Sequence, residues 1–222
     1  MMRHAVAVST TFRQLDRRKQ NRIFSAALTE FAERGYRGAS INAIVEKVGM
    51  AKGSIFNYFS HKEGLFLFVF QRALEKVKEH LRRVQETTAG DDLFTRIEKT
   101  LLDGVAFIQA NPRIFRVYLH VHYESGLKAR RELIKSVRRS SVRFLSDLLI
   151  TARERGEVPS DLDVPRAAFV IDSILERFLQ AYGVAHLDAG LGLFRAPEDE
   201  VRAWAGVVVS LLRNGLEGTG RP

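Results

Sequence analysis

Apolar residues along this chain recur at three- and four-residue spacings almost throughout, and the two-residue alternation of half-buried strands is rare. The pattern predicts an all-α protein of about nine helices. The first runs over about 15–34, with Ile23, Ala27 and Phe31 on its inward stripe and Phe24 and Leu28 beside them. Gly35 supplies its stop. Ser40 is a suitable N-cap for a second helix over 41–48, which Gly49 ends. A third, very short helix covers 52–59. Ser60 and Glu63 then have the spacing of a capping box, Ser60 capping a fourth helix over about 61–85. Further helices are predicted over 92–109, 112–122, 128–155, 165–182 and 197–212, with Pro112, Pro165 and Pro197 at or near their starts.

The second and third predicted helices, joined by a tight turn at 49–51, form a helix-turn-helix pattern. Ile41, Ile44, Val45 and Val48 make one apolar face, and Ile55 and Phe59, four apart, turn inward to meet it. Ser54, Asn57 and Tyr58 sit at i, i+3 and i+4 and so share another, displayed face. Those side chains suit a DNA groove, where Asn pairs with adenine and Ser donates or accepts. Lys52 and Lys62 suit phosphates, as does the Tyr58 hydroxyl. Gly53 lets backbone approach closely at a helix start, and Ser40 stands at the start of the second helix. Arg13, Arg17, Arg18, Lys19 and Arg22 are within reach of flanking backbone. The competing reading is an ordinary helical hairpin with a solvated polar face.

Charge sharpens the choice. The chain has 222 residues and a net charge of +9. Residues 1–62 hold eleven Lys and Arg against four Asp and Glu, a balance of +7, which leaves +2 for 63–222. A small basic module thus precedes a nearly neutral one, and its natural partner is a polyanion: nucleic acid or an acidic membrane surface. The expected organisation is a flexible basic arm over 1–14, a DNA-binding domain over 15–62 and a helical domain over 63–222. There is no cysteine, which excludes disulfides and thiolate chemistry and fits a cytosolic setting. No apolar run reaches the length of a membrane span. Phosphate-binding, hydrolase and zinc-protease motifs are absent, so an enzyme is disfavoured and no cofactor is expected.

The run over 23–66, IFSAALTEFAERGYRGASINAIVEKVGMAKGSIFNYFSHKEGLF, resembles the DNA-binding domain of TetR/AcrR-type bacterial transcriptional regulators. The resemblance rests on I-x-x-x-A-x-x-x-F-x-x-x-G-Y, then S-I-x-x-I-x-x-x-V-G, then K-G-S-I-F-x-Y-F-x-x-K-x-x-L. Met50-Ala51 is a mild departure, and about a fifth of the chain is covered. The resemblance implies a homodimer on a palindromic double-stranded operator, in the cytoplasm and at the nucleoid when bound to DNA. It makes Ser40, Lys52, Gly53, Ser54, Asn57, Tyr58 and Lys62 the DNA-contact candidates, with Asn57 and Ser54 reading bases. Repression, relieved by a small hydrophobic or amphipathic effector, is the implied activity. The alternative is a basic DNA- or membrane-surface binder without effector control.

The same resemblance assigns dimerisation to the last two helices, where Ile171, Ile174, Phe178, Tyr182, Trp204, Val208 and Leu211 are the interface candidates; the alternative is that these helices are core of a monomer. An effector cavity would draw on Phe107, Phe115, Tyr118, Leu119, His122, Tyr123, Phe144, Phe169 and Arg177. His120 and His122, two apart on a helix, diverge and are not expected to hold a metal. Two charge clusters, Lys128-Arg130-Arg131 and Arg138-Arg139-Arg143, read as solvated helix faces.

Overall fold

The computed structural model describes residues 8–123 and 126–216. Among them the regular structure is helical, with no strand: α1 (Thr10–Arg13), α2 (Arg17–Gly38), α3 (Ile41–Val48), α4 (Lys52–Phe59), α5 (Lys62–Thr87), α6 (Leu93–Ala110), α7 (Pro112–Tyr123), α8 (Arg130–Glu154), α9 (Val164–Gly183) and α10 (Glu198–Leu216). A 3-10 turn follows α9 at Ala185–Leu187. The tail over 217–222 and the first seven residues of the expected arm lie outside the described residues.

By packing, the chain divides into Met1–Lys78 with Asn111–Ile134, and Glu79–Ala110 with Lys135–Pro222. This is a division by contact, whereas the division expected at residue 62 is one of function. In the first unit Ile23, Ala27 and Phe31 of α2, Ile44 of α3, Ile55 and Phe59 of α4 and Leu65 and Phe66 of α5 form the core. Burying such side chains stabilises by roughly 1.5–3 kcal/mol each. Gly35 interrupts α2 with φ 65°, so the helix kinks there before its last turn. Gly49 closes α3 in the left-handed region at φ 67°. α7 lies on α2, where His120 Nε2 is 3.2 Å from the Ala32 carbonyl oxygen.

Two local expectations are corrected here. Residues 8–14 are not a flexible arm: Ser9 caps α1, its Oγ accepting the Phe12 N–H at 3.2 Å, and Phe12 is buried. The Phe12 ring meets Tyr58, Phe59 and Phe68 with centroids 5.7, 4.8 and 5.0 Å away. The Gln20 side chain donates to the Leu15 carbonyl at 2.9 Å and to those of Phe12 and Arg13. The capping box at Ser60 is also absent. Ser60 has φ 60° and belongs to the turn between α4 and α5. His61 takes its place, Nδ1 accepting the Gly64 N–H at 3.0 Å, while Glu63 Oε1 accepts the Ala129 N–H at 3.1 Å.

In the second unit α6 packs against α9 and α10, around Ile97, Leu101, Ala168, Ile171 and Ala205. Asp92 caps α6 through the Phe94 and Thr95 amides, and Asp163 caps α9 through Arg166 N–H at 3.1 Å. Arg138, expected in solvent, is drawn inward to Asp172 Oδ2 at 2.9 Å and to Glu176. Arg130 of the other basic cluster donates to the Val121 and His122 carbonyls at the end of α7.

Candidate DNA-reading face

α3, the turn at Gly49 and α4 build the helix-turn-helix. Ile55 and Phe59 bury the inner side of α4 against the unit's core. Ala51 occupies the N-cap with no side-chain bond, so the first amides of α4 carry no internal cap. Lys52, Gly53, Phe56 and Asn57 are exposed together, at i, i+1, i+4 and i+5. An added Cβ on Gly53 would meet no atom within 4 Å. This face presents a cation, bare backbone, an aromatic ring and an amide, the groups that pair with phosphates, base edges and thymine methyls.

The exposed face is turned by about one residue from the expected one. Ser54 is half-buried, and Tyr58 is only 8% exposed rather than displayed. The cause is α1: Phe12 packs edge-on against Tyr58, and the Ser9 N–H donates to the Tyr58 carbonyl at 3.0 Å. Phe56, which sequence reasoning left out, is 38% exposed in its stead. One signal was available: Ile55 and Phe59 fix the inward direction, and Phe56 lies 100° from Ile55.

The remaining candidates are held from within. The Ser40 hydroxyl caps α3 by accepting the Ala43 N–H at 3.4 Å. Lys62 Nζ donates to the Arg37 carbonyl at 3.1 Å and lies 5.3 Å from the centre of the Tyr36 ring. Burial, and then the Glu63 charge, push the Tyr36 phenol above its ordinary range. Arg22 is committed as well, Nη2 donating to the Val48 carbonyl at 2.9 Å. Arg13, Arg17 and Arg18 are exposed.

The effector candidates fall into two groups. Phe115, Tyr118, Leu119, His122 and Tyr123 belong to the first unit, where the Tyr118 and His122 rings lie 4.3 Å apart, tilted at 47°. Phe107, Phe144, Phe169 and Arg177 belong to the second, where His80 lies 5.1 Å from Phe107. Tyr123, Phe169 and Arg177 are exposed, which removes them from any enclosed lining within one chain. Of the interface candidates, Ile171, Phe178 and Tyr182 are corrected: they are buried in their own chain's core, Tyr182 also accepting from Gln109 at 2.7 Å. Ile174, Trp204 and Val208 are half-buried, and Leu211 is 69% exposed. Phe169, Val170 and Val207 are the other large apolar side chains that α9 and α10 leave in solvent.

Comparison with known proteins bears on the helix-turn-helix and on the fold. Residues 23–69 match the family model described as bacterial regulatory proteins, tetR family. The Bacillus subtilis fatty acid metabolism regulator protein is 25% identical over 160 residues, covering 70% of this chain and 78% of its own. The HTH-type transcriptional regulator TtgR of Pseudomonas putida is 26% identical over 165 residues, with coverages of 71% and 78%. Among solved structures, a TetR family regulator from Chloroflexus aurantiacus superposes with a TM-score of 0.67 at 25% identity, covering 96% of this chain and 99% of that one. FadR from Bacillus subtilis, solved with stearoyl-CoA, shares the fold at a TM-score of 0.69 and 21% identity, over 88% of this chain and 98% of its own. These relatives are regulators of transcription rather than enzymes. With its helix-turn-helix matched over residues 23–69 and its fold shared with a TetR family regulator over nearly its whole length, the chain carries a TetR-type DNA-binding domain on a TetR-type fold.

Proposed function

We propose that this regulator is a repressor that binds a palindromic operator as a homodimer and leaves it when a small hydrophobic or amphipathic effector binds. The exposed quartet Lys52, Gly53, Phe56 and Asn57 on an uncapped α4 is the observation that carries the reading. In this proposal Asn57 and Phe56 meet base edges, Lys52 and the first amides of α4 meet phosphates, and Arg13, Arg17 and Arg18 add flanking charge. Ser40 and Lys62 shape the surface, and Ser54 takes a lesser part. The functional division is a DNA-binding domain over 15–62, extended to include α1, followed by an effector and dimerisation domain.

The apolar side chains that α9 and α10 leave exposed, Phe169, Val170, Val207 and Leu211, are the proposed contacts with a second copy. A dimer would set two copies of α4 one DNA turn apart, about 34–36 Å or a multiple. An effector that binds better to another spacing shifts the population off DNA. Long-chain acyl thioesters and their free acids are the first effectors to test, because a relative was solved with stearoyl-CoA. No helix of the described residues is long and apolar enough to cross a membrane, and the cytoplasm is the proposed location.

Selection from random DNA followed by anisotropy titration tests the reading. A palindromic site should emerge. Asn57→Ala should weaken binding to it by about 1–3 kcal/mol and relax one base preference. Equal loss on every sequence would make Asn57 a backbone contact, and no selected sequence at all would overturn the regulator reading.

A further inference from the structure

Glu30 lies on the inner side of α2 and is 2% exposed, deeper than any other charged side chain among the buried residues. A carboxylate at that depth is retained only where partners satisfy it. Its Oε1 accepts the Ser40 N–H at 2.9 Å, ten residues further along, and stands 3.4 Å from Arg34 Nε. The kink at Gly35 returns the chain so that this amide points back at α2. Ser40 is the N-cap of α3, so Glu30 holds the residue on which that helix starts. The other end of α3 is held from α2 too, by Arg22 on the Val48 carbonyl. A negative group thus sits at the positive end of α3 and a positive group at its negative end, both carried by α2. α4 follows α3 after a three-residue turn, so any slide of α3 along α2 moves the exposed quartet with it.

We infer that Glu30, paired with Arg22, is a positioning residue for DNA reading: it touches no DNA, but fixes α3 on α2 and thereby the aspect of α4. The inference rests on the regulator reading above. Glu30→Ala removes the acceptor, whereas Glu30→Gln keeps an oxygen able to accept the Ser40 N–H.

The experiment has two readouts on the full chain: amide exchange of Ser40 without DNA, and the ratio of operator to non-operator affinity. Glu30→Ala should speed Ser40 exchange and lower the ratio, each by roughly tenfold or more, and Glu30→Gln should restore most of both. If exchange speeds up while the ratio holds, Glu30 is merely structural and the inference fails. If exchange is unchanged, the bond is absent and the inference fails at its root. Should Glu30→Ala not fold, Arg22→Gln releases the opposite end of α3 and carries the same expectation for the ratio. Wild-type protein with no operator preference would instead overturn the regulator reading, and the inference with it.

Discussion

Gly64→Ala adds one methyl group where α4 hands over to α5. Only Ser60 and His61 separate the two helices, with the Ser60 N–H on the Phe56 carbonyl at 2.8 Å and the His61 N–H on that of Phe59 at 2.7 Å. A Cβ on Gly64 would stand 2.2 Å from the Phe59 oxygen and 3.3 Å from its carbon. A comfortable carbon–oxygen contact is about 3.3 Å or more, so roughly 1 Å of backbone must yield. The obstacle is a carbonyl of α4's last turn, which cannot swing aside as a side chain can. Overpacking of this kind costs about 1–3 kcal/mol. Replacing glycine within a helix returns at most about 1 kcal/mol, and less in a first turn. The net loss should lower Tm by about 2–8 °C for a chain of this size. Thermal melts and operator titrations check it, and the loss of affinity should exceed what unfolded protein accounts for, because relief of the clash tilts α4. A variant with unchanged or higher Tm and unchanged operator affinity would refute the reasoning.

Gly53→Ala is the counterpart: open space surrounds its Cβ, so Tm should hold or rise slightly, while operator affinity falls roughly tenfold if the backbone meets a phosphate there. Unchanged affinity in a titration would take Gly53 out of the site. Phe12→Ala removes a buried ring from beside Tyr58 and Phe59, and should cost about 3–5 kcal/mol, with faster proteolysis ahead of α2 and weaker operator binding. A variant as protease-resistant as the wild type would show that Phe12 holds nothing. Acidification separates two carboxyls. Burial, opposed by Arg138, pushes Asp172 above its ordinary range, so its contribution to stability is full below that range and lost as pH rises through the raised value. The Thr95 hydroxyl, with the Thr95 and Phe94 amides and Arg213, holds Asp92 below its ordinary range against partial desolvation, so its contribution is present above about pH 4 and lost as pH falls through the lowered value. Melts of Asp172→Asn should lack the gain on acidification towards about pH 4, and those of Asp92→Asn the loss below it.

Much of this architecture was legible. The bounds of α3 and α4 follow from a cap at Ser40, a left-handed glycine at Gly49 and a four-residue apolar spacing between Ile55 and Phe59, all local signals. The rest depended on distant partners. Phe12 stands alone in a basic stretch, and only Tyr58, Phe59 and Phe68, more than forty residues on, make it a core residue and rotate the exposed face of α4. Ser60 has the composition of a cap but the wrong backbone angle, which no propensity encodes. On α9, periodicity marks Ile171 and Phe178 as apolar without distinguishing their own core from a partner's. Glu30 carries no local signal, and Arg22 is expected at flanking DNA backbone, because the amide and carbonyl they hold belong to another helix.

The brace formed by Ser9 and Phe12 also bears on how such proteins are recombined. The recognisable motif starts at Ile23, yet the ring that backs α4 lies eleven residues ahead of it. A chimera that transplants only the motif onto another scaffold would expose Tyr58 and leave its carbonyl without the Ser9 amide. Swapping operator specificity between relatives should therefore carry residues 8–16 along with the reading helix.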